Sequence, residues 1–468
     1  MSNPPFQKVL IANRGEIAVR VIRACHELGI RTVAVHSTVD KDALHVKLAS
    51  ESVCIGPALA KDSYLNVASI MAAAVATRAD AIHPGYGFLS ENAAFAEICG
   101  SCGVTFIGPS VRSMRIMGDK ARARRAADKA GVPTIPGDSK GYLSLEEALP
   151  VAKSAGFPVL LKACAGGGGR GMKIVQSSEE FAGLFQTAQR EVEAAFGDGH
   201  LLIEKYLPRV RHVEVQIAGD QDKNVIHLGV RDCSIQRRYQ KLIEESPSPG
   251  LPKKIQEALQ DAAVNIGQSV NYTNVGTVEF LVDLEAGEYY FIEMNTRLQV
   301  EHPVTEMATD TDIVKEQIKL AAGEPLSISQ KEIKIAGHTI EVRINAEDPR
   351  NMIPSPGLIQ SYHPPGGHGV RVDSAIYAGY TVQPYYDSLI AKLIVRAKDR
   401  AACIRKVLVA LDEYIIEGIK TNIDLHRRIL SHPDFISGNF HTKFLDSVNL
   451  FNMEDRCHEE NSGRQMAH

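Results

Sequence analysis

The chain has 468 residues, 44% of them hydrophobic and 23% charged, with a formal net charge of -4, the profile of an ordinary globular protein of roughly three domains. So mild a charge argues against nucleic acid or an anionic membrane as a bulk electrostatic partner, and no apolar run reaches the roughly 18 residues of a membrane span. The first residues, MSNPPFQKVLIANRG, lack the apolar core of a secretory signal, and eight Cys are too scattered for a disulfide framework, so a reducing cytoplasm is the expected home.

Residues 7–14 predict a strand that stops at Gly15. Ile17, Val21, Ile22 and Leu28 then fall at helical spacing over 16–28, closed by Gly29, and 31–37 predict a second strand. Strand–helix–strand order implies an α/β layer with a parallel sheet. Further strands end in the Gly/Pro loops of 79–87 and 103–110. Residues 1–115 therefore read as a doubly wound, Rossmann-like domain, and the missing G-x-G-x-x-G gives no sign of a dinucleotide site.

A helix over 119–130 opens a mainly antiparallel α+β region, 116–335. Two short strands within 158–175 are joined by a glycine-rich turn, placing that turn in a small subdomain of about 134–206. A Pro- and Gly-rich β region with strand 389–397 and helix 400–413 follows over 336–448, and 449–468 is a polar tail.

The stretch 291–306, FIEMNTRLQVEHPVTE, carries the densest chemistry. Glu293, Asn295, Arg297, Gln299 and Glu301 occupy alternate positions, so an extended chain would put all five on one face. Strands 277–283 and 288–294 read as a β-hairpin that sets Glu279 opposite Glu293. Two carboxylates facing each other are unfavourable on a bare hairpin. A divalent cation would resolve the conflict, and Mg2+ takes oxygen ligands together with substrate phosphates.

Other segments fit a nucleotide and an anion. In the tract Gly166, Gly167, Gly168, Gly169, the backbone amides can approach a phosphate closely, although the flanks and the missing GK[ST] ending exclude a Walker A loop. Lys162 sits in the apolar run PVLLKA, where a charge needs a partner. Lys120 in MGDK offers a second cation. The EKYL segment, Glu204 to Leu207, follows a strand as a possible purine-reading hinge, and RDCSIQRRYQK (231–241) clusters Arg231, Arg237, Arg238 and Lys241 as either a solvated face or a site for an anion such as bicarbonate.

These motifs, with NRGEIA (13–18), HPGYGFLSEN (83–92), RHVEVQ (211–216) and RINAEDP (343–349), run in the order of the biotin carboxylase family of ATP-grasp enzymes, which the chain resembles from about residue 6 to 446. The resemblance implies a pre-ATP-grasp domain, an ATP-grasp domain with a glycine-loop lid, and a biotin carboxylase C-terminal domain. It implies that ATP and bicarbonate give carboxyphosphate and that the carboxyl group passes to biotin. It places ATP at Lys120, Lys162, the glycine tract, Glu204, Lys205, Tyr206, Leu207, His212, Gln236, Tyr239, Glu279 and Glu293, and Mg2+ or Mn2+ at Glu279, Glu293 and Asn295. Bicarbonate and biotin fall to Lys241, Arg297, Gln299, Val300 and Arg343, with Glu301 as the base that deprotonates bicarbonate and Arg343 stabilising the biotin enolate. Two departures stand out: Tyr239 where the family often has His, and Cys164-Ala165 where Ser-Gly often opens the glycine tract.

The absence of an Ala-Met-Lys-Met biotinylation motif leads us to expect biotin on a separate carrier protein, with carboxyltransferase subunits as further partners; the resemblance also implies a homodimer. Acetyl-CoA carboxylase is the expected complex, and pyruvate or propionyl-CoA carboxylases are the alternatives. A different ATP-grasp ligase that captures an amine, or a silent nucleotide-binding subunit, would not require Lys241, Arg297, Glu301 and Arg343 together.

Overall fold

The computed structural model describes residues 5–164 and 172–451. Strand β1 (Lys8–Ile11) enters helix α1 (Gly15–Glu27) through Gly15, whose φ of +68° is one a side chain disfavours, and Gly29 (φ +75°) returns the chain to β2 (Arg31–Ser37). With β3 (Glu51–Gly56), β4 (Ala81–His83) and β5 (Thr105–Phe106) these form a parallel sheet of order β3-β2-β1-β4-β5. The expected doubly wound unit is present, and the predicted second strand matches residue for residue.

A four-stranded antiparallel sheet follows. It consists of β6 (Gly137–Tyr142), β7 (Val159–Ala163), β8 (Lys173–Val175) and β9 (Leu201–Lys205), ordered β6-β9-β7-β8. Alternating side chains of β7 and β9 pack with Phe181 and Phe185 of helix Ser178–Phe196 in a small core of their own. Gly166 to Gly169 and Ala165 lie outside the described residues, so their expected role is not placed.

The centre of the molecule is a larger antiparallel sheet. Its order is β14 (Glu288–Asn295), β13 (Asn274–Asp283), β10 (Arg211–Gly219), β11 (Val225–Arg237), β12 (Gln240–Ser246), β15 (His338–Asn345), then strands Leu389–Ala397 and Val370–Ser374. The C-terminal strands thus extend this sheet, with Ile243 paired to Val342 and Glu244 to Glu341 at the junction. Cores lie on both sides. Ile235, Leu242 and Ile243 join the C-terminal core, while Leu298, Ile226 and Val275 pack with Ile17, Val21 and Ile22 of α1. Burial of such side chains at about 1.5–3 kcal/mol each is what docks the N-terminal unit on the central sheet. Among the described residues, no helix is long and apolar enough to cross a membrane.

Candidate active site

A cleft of about 1300 Å³ opens between the small sheet, the central sheet and the N-terminal unit, and every described residue expected to bind ATP, metal, bicarbonate or biotin lines it. Its floor is set by period-two alternation. On β10, His212, Glu214 and Gln216 point to one face, and Glu279 on β13 pairs directly with Glu214. Glu279 pairs on its other side with Glu293, as the sequence predicts.

The run beyond Glu293 does not stay extended. Strand β14 ends at Asn295, the chain bends through 296–300, and Glu301 begins helix His302–Thr309, with Pro303 in its first turn. The polar groups still converge, because the bend folds them back onto the hairpin. Asn295 Nδ2 and Gln299 Nε2 donate to Glu279 Oε1 at 2.9 and 3.0 Å, and Arg297 donates to Asn295 Oδ1 (3.0 Å), Gln299 Oε1 (2.8 Å) and Glu91 Oε2 (3.0 Å). The Val300 carbonyl accepts from Lys392 Nζ at 2.8 Å.

Lys241 sits at the centre. Its ammonium donates to Glu214 Oε2 (2.6 Å), Glu279 Oε1 (3.0 Å) and Glu301 Oε1 (2.6 Å). Burial opposes its charge, but these three carboxylates outweigh burial and hold it well above the usual lysine range. Glu301, 1% exposed, also accepts from Arg343 Nη2 at 2.9 Å. Burial pushes its carboxyl up, yet Lys241 and Arg343 dominate and leave it well below the usual range. Arg343 is held on its other edge by Glu244 Oε1 at 2.6 Å.

On the opposite wall Lys162 and Glu204 form an ion pair, giving the lysine the partner that its apolar strand demands. Lys120 donates to the Ala163 carbonyl at 3.1 Å. Lys205 Nζ holds the carbonyls of Gly156 and Phe157 at 2.8 and 2.9 Å, which fixes the segment leading to Tyr206 and Leu207. Gln236 reaches the cleft from the end of β11 and Tyr239 from the β11–β12 turn, where Arg238 and Tyr239 have positive φ.

Glu279, Glu293 and Asn295 suit a divalent cation. Glu293 is exposed to the cleft, yet the protein packed around it and the facing Glu279 both push its carboxyl up, a like-charge conflict that a cation relieves. His212, Glu214 and Glu279 also gather ligand atoms within 4.8 Å of one another. That cluster is already neutralised, since Lys241 bonds both carboxylates and His212 Nε2 lies 2.9 Å from Glu279 Oε2.

The basic cluster divides. Arg231 does not face the cleft: it is fully buried and bonded to Glu214, Gln216 and Thr305. Glu214, Glu244, Glu91 and Lys392 join the site as well, and none of them is among the residues that the sequence motifs single out. Glu214 could have been found from the alternation His212-x-Glu214-x-Gln216, but Glu91 and Lys392 meet the loop across more than 90 residues of chain.

A small sheet facing a carboxylate- and lysine-lined central sheet across one cleft is the architecture of an ATP-dependent ligase of the ATP-grasp class. Residues 5–114 match the model of the biotin carboxylase N-terminal domain, 119–329 that of the carbamoyl-phosphate synthase L chain ATP-binding domain, and 341–447 that of the biotin carboxylase C-terminal domain. The chain belongs to the biotin carboxylase family. A biotin carboxylase from Nostoc sp. is 56% identical over 446 residues, covering 95% of this chain and 99% of the relative. The crystal structure of a biotin carboxylase–β,γ-ATP complex from Campylobacter jejuni superposes with a TM-score of 0.92 at 50% identity, covering 96% of this chain and all of that one. The biotin carboxylase domain dimer of the Hydrogenobacter thermophilus 2-oxoglutarate carboxylase, with MgADP, ADP and bicarbonate, gives 0.90 at 51% identity, covering 94% and 97%.

Proposed function

We propose that this chain carboxylates biotin on a separate carrier protein, using ATP and bicarbonate through carboxyphosphate, as the first half-reaction of an acetyl-CoA carboxylase. The observation that carries the reading is the position of Glu301, bridging Lys241 at 2.6 Å and Arg343 at 2.9 Å. One carboxylate then joins the cation expected at bicarbonate to the cation expected at biotin.

Bicarbonate is a poor nucleophile, so a carboxylate in hydrogen-bond reach must take its proton as it attacks the γ-phosphate. With both cations on it, Glu301 is a weak base. A bicarbonate anion that draws Lys241 onto itself removes one of those two cations from Glu301 and leaves Arg343, so substrate binding itself raises the basicity of Glu301. Lys120 and Lys162 offset charge on the nucleotide phosphates, and the Lys205–Leu207 backbone reads the purine. Mg2+ or Mn2+ held by Glu279, Glu293 and Asn295 would neutralise charge on the transferring phosphoryl group. In the second half Arg343 holds the ureido oxygen as negative charge develops on it.

The test is ATP cleavage that depends on bicarbonate and rises with free biotin. An amine or amino acid substituting for biotin would overturn the reading. We assign the three parts as 1–115, 116–335 with the lid at about 134–206, and 336–448, in a cytoplasmic homodimer served by carrier and carboxyltransferase subunits. A keto-acid acceptor such as pyruvate is a second reading, since the 2-oxoglutarate carboxylase domain is as similar as the ATP complex. Co-purification of the carboxyltransferase decides between them.

A further inference from the structure

Glu244 and Glu341 stand directly opposite each other where β12 meets β15. Both are 0% exposed, and like charges in that position are unfavourable even at a surface. Glu244 Oε1 is occupied by Arg343, but its Oε2 and both oxygens of Glu341 are buried with no hydrogen-bond partner. Three unmatched carboxylate oxygens cannot persist as acceptors only, because each would cost on the order of 1–3 kcal/mol or more. One proton eases the conflict: it turns one of the three oxygens into a donor that a second can accept from, and it leaves a single charge on the pair.

We propose that Glu341 is the proton-bearing member of a carboxyl pair with Glu244, and that it acts as a positioning residue for Arg343. Three carboxylates, Glu244, Glu301 and Glu341, surround this one guanidinium. With Glu341 neutral, Arg343 is balanced between Glu244 on one edge and Glu301 on the other. With Glu341 ionised, a third charge on its own strand competes for the guanidinium and draws it from Glu301 and from the ureido oxygen. The inference rests on the assignment of Arg343 to biotin made above.

The surroundings favour the neutral form. Burial dominates, Glu244 and Glu301 add to it, and Lys392 and Arg343 oppose it without prevailing, so the Glu341 carboxyl lies well above the usual range while Glu244 rises to about 7. Glu341 shares its face of the sheet with Glu244 from β12 and Arg343 from its own strand, and the Lys241 ammonium of β12 acts on Glu244. Lys392 stands on strand Leu389–Ala397, and Arg371 and Asp373 on Val370–Ser374. Glu301, His302 and Glu306 come from the helix packed across them. The ammonium that opposes this most, Lys392, is committed to Glu16 at 3.1 Å and to the Val300 carbonyl at 2.8 Å.

Glu341→Gln mimics the neutral form and Glu341→Ala removes it. In the full chain without substrates, infrared spectra should show a protonated-carboxyl band that Glu341→Gln abolishes. The biotin-dependent kcat of Glu341→Gln near neutral pH should stay within roughly threefold of the unsubstituted chain and lose its alkaline decline, while Glu341→Ala falls by roughly tenfold or more. A band unaffected by Glu341→Gln, or a pH profile identical to that of the unsubstituted chain, overturns the proposal. Failure of biotin to stimulate the unsubstituted chain would instead remove the assignment of Arg343 and leave the infrared result standing.

Discussion

Glu279 faces Glu293 only because the hairpin between them is irregular. Near the turn Phe280 pairs with Phe291 and Asp283 with Glu288, a register that would set Glu279 against Ile292. A β-bulge shifts the pairing by one residue and brings the second carboxylate opposite the first. Bulges re-aim side chains next to functional sites in this way. Glu293→Gln should therefore raise the Mg2+ concentration for half-maximal ATP cleavage on the order of tenfold or more, measured by metal titration at saturating ATP.

Glu301→Gln keeps the shape of the residue that bridges Lys241 and Arg343 but cannot accept a proton. Turnover should drop by about 10²–10⁴, with nucleotide affinity by calorimetry nearly unchanged. Normal turnover in this variant would remove Glu301 from the base role.

Arg343→Met should separate the two half-reactions. Biotin-stimulated turnover should fall by roughly 10² or more, whereas bicarbonate-dependent ATP cleavage without biotin stays within roughly tenfold. Equal loss of both activities would argue that Arg343 serves Glu301 rather than biotin.

Arg231→Met tests a different kind of arginine. Its removal leaves Glu214 deep in the sheet with Lys241 as its remaining cation. We expect a loss of about 3–5 kcal/mol in denaturant unfolding, as for other broken buried pairs. In the linear sequence Arg231 and Lys241 belong to one basic cluster, and only the strand register distinguishes the structural group from the functional one.

Glu245 gives a pH signature. Burial pushes its carboxyl up, but His338 and Arg400 prevail and hold it below the usual range. A carboxyl depressed by folding contributes stability above its unfolded value of about 4.3, and that contribution is lost as pH falls through the folded value. Arg400→Ala should cost about 3 kcal/mol at neutral pH, with the difference shrinking below about pH 4, followed by chemical denaturation.

The parts of the site that follow local rules were legible in the sequence. A regular hairpin about residue 286 implied the Glu279–Glu293 pairing, which the structure reaches through a bulge instead, and an apolar strand around Lys162 implied its partner. Spacing misled at Arg297, where the run 293–301 reads as one strand but turns at Asn295. Those side chains are brought together by Glu279 and Glu91, acceptors that no local period reveals. The buried Glu244–Glu341 pair was invisible for the same reason, since their register is set across almost 100 residues of chain.

The junction of β12 with β15 also bears on inheritance. Lys241 and Arg343 lie on neighbouring strands, just beyond the ladder that pairs Ile243 with Val342 and Ser246 with Thr339, so the groups expected to handle bicarbonate and biotin are held by one junction. Cutting the chain between 335 and 338 would leave two bare strand edges, each a template for aggregation. In this chain the two chemistries are therefore tied together by the sheet itself, and a cut that separates them exposes both edges at once.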